Sequence, residues 1–252
     1  MSITVRRIVG KTHRFMATRF ATRTIPVRLA KPIVSFTFDD APASAFTQAT
    51  PVLEAHGARA TFYLSLGLLG QDSDSGLIAD LAHLKRAHAA GHELGCHTFD
   101  HLDAADVSRE RYLASVDANR SAIARLLPSA TFETFAYPKG GARVLVKRLL
   151  GERFLCCRGG REDANIGAVD LNLVKACFLD QRAGLDFPAI AALLDRNARA
   201  RGWLVFATHD LSNQPSRYGC SPARFRQVVE MTRATGATIL PMAEACRRLI
   251  GG

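Results

Sequence analysis

The chain has 252 residues, of which 48% are hydrophobic and 22% are charged. This composition is typical of a globular protein with one domain of barrel size and a substantial core, and it excludes a disordered or low-complexity chain. No segment reaches the roughly 18 consecutive apolar residues of a membrane-spanning helix.

Residues 1–31 form a predicted basic leader, and residues 32–252 form the predicted catalytic domain. The leader holds eight Arg and Lys residues and no acid, within a chain of net charge +10. Such an arm is either a poorly packed, solvated leader or a binding segment for an anionic membrane surface, a nucleic acid or an anionic glycan. Because Arg or Lys interrupts every apolar run, the leader is unlike a secretory signal. We expect a cytoplasmic protein, with the inner membrane face as a candidate location, and no specific nucleic acid partner.

Short apolar runs alternate with stretches of helical periodicity along the rest of the chain, a pattern typical of repeated β-α units. The predicted strands cover residues 33–38, 60–65, 93–96, 131–137, 153–157, 174–179, 203–208 and 238–240. The predicted helices cover residues 43–56, 77–90, 108–127, 143–151, 187–201 and 222–235. About seven such units predict a parallel barrel or a wound sheet, with chemistry at the C-terminal ends of the strands.

Six cysteines occur at irregular spacings without a CxxC pair, so we expect reduced thiols and no cysteine zinc site: Cys96, Cys156, Cys157, Cys177, Cys220 and Cys246.

Two polar motifs follow predicted strands and together indicate a metal site. The first strand ends on the consecutive carboxylates Asp39 and Asp40, and the third leads into His97 and His101 at a four-residue interval. Two imidazoles at i and i+4 in a helical turn point the same way and can share a metal ion. Either motif alone is weak, since an Asp pair can cap a helix and a His pair can be structural. Two imidazoles and one carboxylate leave coordination positions open, as in a catalytic site.

Two further segments supply other catalytic groups. An apolar strand ends on His209, which can act as an acid near neutral pH. The segment FAYPKGG turns a strand into a glycine-rich corner whose backbone N–H groups are candidates to face an oxyanion. The candidate oxyanion or substrate-binding residues of this corner are Tyr137, Pro138, Lys139 and Gly140.

In this order, the segments TFDD, HTFDH, FAYPKGG and ATHD resemble the motifs of the polysaccharide deacetylase family, the carbohydrate esterases related to rhizobial chitooligosaccharide deacetylase. The resemblance spans residues 32–252 and implies an α/β fold, a distorted (β/α) barrel of parallel strands with outer helices. It also implies one divalent metal ion. Zinc suits the donor set first, and cobalt, nickel, manganese or iron(II) are alternatives.

The resemblance assigns roles position by position. Asp40, His97 and His101 correspond to the metal ligands. Asp39 corresponds to the general base that takes a proton from the attacking water, and His209 to the general acid that protonates the departing amine.

Two departures from the family pattern concern how these groups are held. The family's glycine-rich motif often begins with an arginine that braces the base, but this chain has Ala136 there, which leaves Arg158 and Arg161 as candidate braces. A clear Asp-x-x-Asp-Trp segment is also lacking, so Asp170 and Asp180 are guesses for the carboxylate that orients His209.

Outside the motifs, His92 and Glu93 at the start of a strand are expected to pack and to hydrogen-bond rather than to bind metal. The polar segment 211–222 after His209 is either a substrate-covering loop, in which Tyr218 stacks on a sugar ring, or an ordinary surface loop.

The predicted activity is removal of an N-acyl group, most simply N-acetyl, from an amino sugar in a glycan, oligosaccharide or glycolipid. The alternatives are a deformylase or amidase acting on a lipid-linked or non-sugar amide, and a catalytically silent glycan-binding protein of the same fold.

Overall fold

Strands and helices alternate along most of the chain in the computed structural model, which describes residues 12–13, 15–160, 162–182 and 184–251. The strands are β1 (Thr24–Pro26), β2 (Ile33–Phe38), β3 (Thr61–Leu64), β4 (Asp72–Ser73), β5 (Gly76–Leu77), β6 (Glu93–Cys96), β7 (Thr134–Ala136), β8 (Cys156–Arg158), β9 (Ala168–Asp170), β10 (Cys177–Phe178), β11 (Trp203–Thr208) and β12 (Thr238–Ile239). The α-helices are α1 (Ala43–Glu54), α2 (Leu81–Ala89), α3 (Arg109–Leu126), α4 (Val144–Gly151), α5 (Phe187–Ala200), α6 (Pro222–Ala234) and α7 (Met242–Ile250).

Seven strands form one parallel sheet in the spatial order β10-β11-β2-β3-β6-β7-β8, and β12 pairs with the first half of β2. The two ends of this sheet approach each other through Val174, which lies just before β10. Its N–H donates to Cys157 O at 2.8 Å, and its carbonyl accepts from Gly159 N at 2.9 Å. The sheet therefore curves into a distorted barrel with helices outside, and the predicted α/β fold is confirmed.

The central strands are buried on both faces, as expected where a parallel sheet is covered by helices. Alternate residues of β11 divide between two apolar clusters: Phe206 packs in the larger one with the helices, and Val205 and Ala207 lie in the smaller one inside the barrel. Burial of each large apolar side chain contributes about 1.5–3 kcal/mol to the stability of the fold. The buried central strands therefore fix the position of the residues at their C-terminal ends.

Some predicted boundaries are wrong. The helix predicted from residue 77 begins at Leu81, because Asp80 accepts a hydrogen bond from His83 N and caps it, and Leu77 belongs to a short hairpin of β4 and β5. Helix α7 was not predicted. Its N-terminal turn donates Ala243 N to Glu93 Oε2 at 2.8 Å.

The described part of the leader packs against the barrel. Strand β1 pairs antiparallel with β9, Val27 and Leu29 are buried, and Arg23 donates to the carbonyls of Gly151 and Phe154. The interpretation of the leader as a poorly packed, solvated segment is therefore wrong for residues 23–29, while the division of the chain at residue 31 stays a prediction. Residues 1–11 and Arg14 lie outside the described residues.

All six cysteines are buried, and none of them forms a disulfide bond. Within the described ranges, no helix is long and apolar enough to cross a membrane.

Candidate active site

The C-terminal ends of the central strands surround a cavity of about 830 Å³. Strand β2 delivers Asp39 and Asp40 to it, β6 delivers His97, and β11 delivers His209. The ends of β2 and β11 are joined by a hydrogen bond from Asp39 N to Thr208 O of 2.9 Å. Residues that lie far apart in the chain thus meet at one edge because parallel strands end there together.

Asp40, His97 and His101 form a cluster that fits a divalent metal ion. One donor atom from each lies within 4.8 Å of the others. Asp40 Oδ1 is 3.1 Å from His101 Nε2 and 3.7 Å from His97 Nε2. This oxygen is buried and has no hydrogen-bond partner among the described residues, which is costly for a carboxylate unless a cation faces it. The donor set and the orphaned oxygen both fit a metal ion with open coordination positions.

The contacts of His97 leave its Nε2 free for a metal ion. Its Nδ1 lies 2.8 Å from the carbonyl oxygen of Ala136, which can only accept, so Nδ1 carries the proton. Burial lowers the pKa of His97 to about 4, so the ring is neutral at physiological pH. A neutral imidazole with a free Nε2 is the form that binds metal ions.

The backbone around these ligands is left-handed at four residues that are not glycine: Asp40 (φ 57°), Ala41 (φ 54°), Thr98 (φ 59°) and His101 (φ 53°). Residues 97–101 form a loop, so the predicted helical turn is wrong, although the two imidazoles converge. Left-handed residues of this kind cluster at functional sites, where the surrounding structure maintains the strain.

Asp39 is held by a buried arginine. Arg158 is fully buried at the end of β8, and its Nη2 lies 2.5 Å from Asp39 Oδ1. The guanidinium carbon also lies 5.3 Å from the ring centroid of Tyr63 and 5.7 Å from that of Phe178. Burial by itself would raise the pKa of Asp39, but the attraction of Arg158, aided by nearby histidines, lowers it below its ordinary value. Asp39 is therefore a carboxylate at neutral pH, able to accept a proton.

His209 is oriented by a backbone carbonyl. Its Nδ1 lies 3.1 Å from Tyr218 O, and its Nε2 lies 3.9 Å from Asp40 Oδ2, so Nε2 faces the metal ligands. The guess that Asp170 orients this ring is wrong, because Asp170 pairs with Lys147 at 2.6 Å. The other guess, Asp180, lines the cavity but binds Arg182 through Oδ2.

Comparison with known proteins gives the same assignment as the motifs. The family model described as polysaccharide deacetylase matches residues 27–152, which is half of the chain. The chain belongs to the polysaccharide deacetylase family.

One curated relative and two solved structures illustrate the similarity. A bifunctional xylanase/deacetylase of Pseudobutyrivibrio xylanivorans is 31% identical over 91 residues, which cover 36% of this chain and 14% of that protein. A peptidoglycan N-acetylglucosamine deacetylase has a TM-score of 0.63 at 17% identity, covering 92% of this chain and 95% of that chain. A CE4 family pseudoenzyme from Bacillus anthracis has a TM-score of 0.59 at 15% identity, covering 87% of this chain and 66% of that chain. At these identities the two structures establish the fold alone.

Arg158 accounts for the departure from the family pattern at Ala136. The family motif often places its bracing arginine where this chain has Ala136, and Ala136 is the register partner of Arg158 on the neighbouring strand. Neighbouring strands lie about 4.8 Å apart, so an arginine at position 136 would start from nearly the same place in the sheet as Arg158. Of the two candidate braces, Arg158 contacts Asp39, whereas Arg161 lies outside the described residues.

The corner after β7 contributes fewer groups than predicted. Tyr137 is buried, its N–H donates to Arg158 O, and its hydroxyl donates to Asn172 O, so it is not available to a substrate. Pro138 is buried and has no N–H. Lys139 and Gly140 do line the cavity, with left-handed φ of 57° and 66°. Since Gly140 N donates to Tyr137 O, the N–H of Lys139 is the one backbone N–H of residues 137–140 for which the described structure gives no acceptor.

Tyr218 lies on the rim of the cavity beside His209, with 5.4 Å between the ring centroids. The guanidinium carbon of Arg182 lies 4.4 Å from the Tyr218 ring centroid, and buried Asp180 holds that guanidinium. Tyr218 is therefore positioned to contact a substrate from the rim.

Proposed function

We propose that this family member is a divalent-metal-dependent hydrolase that removes an N-acyl group, most simply N-acetyl, from an amino sugar of a glycan, oligosaccharide or glycolipid. The observation that carries the proposal is the position of an arginine-paired carboxylate, Asp39, and a carbonyl-oriented imidazole, His209, on one cavity with the Asp40, His97 and His101 cluster.

A divalent ion held by this cluster, zinc in the first instance and otherwise cobalt, nickel, manganese or iron(II), would activate a water molecule and polarise the amide carbonyl. Asp39 would accept the proton of the attacking water, since its carboxylate is ionised and fixed by Arg158. The Lys139 N–H would donate to the developing oxyanion, and one such donor is typically worth about 3 kcal/mol.

His209 would protonate the departing amine. Its Nδ1 lies against the Tyr218 carbonyl, so a proton that the ring gives up to the amine would leave from Nε2, which faces the cavity. An acid and a base of different chemical type, fixed by different partners, let one site donate and accept protons at the same pH.

The alternative of a silent glycan-binding protein draws support from the structural similarity to a pseudoenzyme. The buried Asp39–Arg158 pair favours an enzyme, because a metal-binding scaffold needs neither this pair nor the oriented His209.

Acetate release from N-acetylglucosamine oligomers by the zinc-loaded protein tests the proposal. Asp39→Asn and His209→Ala should each lower kcat by about 10²–10⁴-fold, whereas His83→Ala, on an outer helix, should leave it unchanged. Chelation should abolish release, and added metal should restore it. Equal rates for the wild type and both site variants would contradict the roles of Asp39 as base and His209 as acid. Metal binding without release from any acylated amine would favour the binding protein.

A further inference from the structure

Exposed apolar side chains border the catalytic cavity on the side of the leader. Residues 15–19 are helical, and Ala17 and Thr18 line the cavity. On either side of them, Phe15, Met16 and Phe20 are 63%, 40% and 52% exposed. Isolated exposed apolar residues are ordinary, but three within six residues form a patch that marks an interaction surface.

This apolar patch, residues 15–20, is fixed to the barrel. The buried Lys147 donates through Nζ to Ala17 O at 2.8 Å and to Phe20 O at 2.7 Å, and it pairs with Asp170 at 2.6 Å. Asp170 in turn accepts from Thr22 N at 3.1 Å. The exposed rings therefore project from an anchored segment at the cavity wall.

The segment that carries the patch is basic in sequence, because residues 1–31 hold eight Arg and Lys residues and no acid. Exposed Arg19 lies within the patch, and exposed Arg28 and Lys31 follow it along the chain. Apolar side chains among cations suit the surface of an anionic bilayer, where the rings enter the boundary between headgroups and acyl chains while the cations attract lipid phosphates. Charge complementarity and exposed apolar area thus favour one occupant, an anionic phospholipid membrane.

We propose that the apolar patch, with Arg19, Arg28 and Lys31, docks the protein on an anionic phospholipid bilayer and places the mouth of the cavity beside the lipid surface. The docking itself is independent of the reaction. Combined with the proposed function, it gives an amide that is presented from a bilayer direct access to the site.

Sedimentation of the full chain with vesicles tests the docking. Binding to vesicles of equal parts phosphatidylglycerol and phosphatidylcholine should exceed binding to phosphatidylcholine alone, and 0.5 M salt should weaken it. Phe15→Ser with Phe20→Ser should weaken the binding about tenfold. A matched pair of exposed apolar residues on other helices, Leu126→Ser with Ile250→Ser, should change it less than twofold.

Equal binding of the wild type and the Phe15→Ser, Phe20→Ser variant would overturn the proposal, as would equal binding to neutral and anionic vesicles. Tighter binding to a single-stranded oligonucleotide than to anionic vesicles, lost in the same variant, would assign the patch to nucleic acid instead. The melting temperature of each variant reports folding, so failure of docking remains distinct from failure of the proposed hydrolysis.

Discussion

Each end of the barrel holds a carboxylate, buried Asp39 at one end and partly buried Glu93 at the other, and their surroundings shift their pKa values in opposite directions. At the C-terminal end, Asp39 faces the guanidinium of Arg158, and this attraction overcomes the effect of burial and lowers the pKa of Asp39. At the N-terminal end, the donors that Glu93 has among the described residues are all neutral, and the loss of solvent around it raises its pKa. Burial alone therefore does not set the pKa of these carboxylates, because the charge of the hydrogen-bonding partner also shifts it.

The difference matches what each end does. Glu93 connects three elements, since Thr61 of β3, Thr134 of β7 and the N-terminus of α7 all donate to it. It closes the bottom of the barrel without the need for a charge. In the proposed reaction Asp39 must remain charged to take up a proton, and of these two carboxylates only Asp39 has a buried cation in contact with it.

The largest effect is expected from removal of that cation. Arg158→Met should lower the free energy of unfolding by about 3–5 kcal/mol, because it leaves a buried charge unpaired. The substitution should also raise the pKa of Asp39, because Asp39 would then lack a charged partner, as Glu93 does. The acidic limb of the pH profile of kcat/KM should therefore move to higher pH. The lowered pKa of Asp39 stabilises the folded wild type above pH 3.8, and this stabilisation is lost as the pH falls through the folded-state pKa. The difference in stability between the wild type and Arg158→Met should therefore shrink in acid.

Lys147→Met is the matched control, because it breaks a second buried ion pair, with Asp170, away from Asp39. It should cost comparable stability and leave the acidic limb in place. An unmoved limb in Arg158→Met would contradict the role assigned to Arg158.

A smaller effect is expected from metal binding, which should stabilise one end of the barrel only. Zinc at about 100 times its dissociation constant should raise the free energy of unfolding by about 2.7 kcal/mol. His101→Ala should abolish this increment, and His88→Ala on helix α2 should retain it, as measured by thermal unfolding with and without zinc. The same zinc increment in both variants would show that the ion binds elsewhere.

The smallest effect concerns Glu93. Glu93→Gln should cost about 1 kcal/mol at pH 4.5, because the amide nitrogen cannot accept one of the three hydrogen bonds. A raised pKa stabilises the fold below the unfolded value of 4.5, and this contribution is lost as pH rises through the folded-state pKa. The deficit of Glu93→Gln should therefore shrink from pH 4.5 to pH 7 in denaturant unfolding. A deficit that grows over this range would contradict a raised pKa.

The barrel could be predicted from the sequence because the apolar periodicity of each strand is local. The grouping of the site residues could also be predicted, because parallel strands end at one C-terminal edge. Asp40 and His97 could be found in this way. The choice between Arg158 and Arg161 could not be made, because it depends on the register of β7 against β8. The partner of His209 could not be predicted either, because a backbone carbonyl such as that of Tyr218 has no sequence signature.

Two elements were missed because remote residues fix them. Helix α7 begins where Glu93 accepts from its first turn, 150 positions away in the chain. The packing of the leader depends on Lys147, which has the sequence pattern of a surface residue of a helix but is buried and pairs with Asp170.

The pairing of Ala136 with Arg158 across two strands has an evolutionary consequence. An arginine at either of the two positions can pair with the same carboxylate. Descendants of a common ancestor can therefore move the arginine from one strand to the other through an intermediate that carries an arginine at both positions. No intermediate without an arginine is needed. Ancestral sequence reconstruction that scores the two positions as one character would recover such an exchange. A comparison column by column would record it as a loss at one position and an unrelated gain at the other.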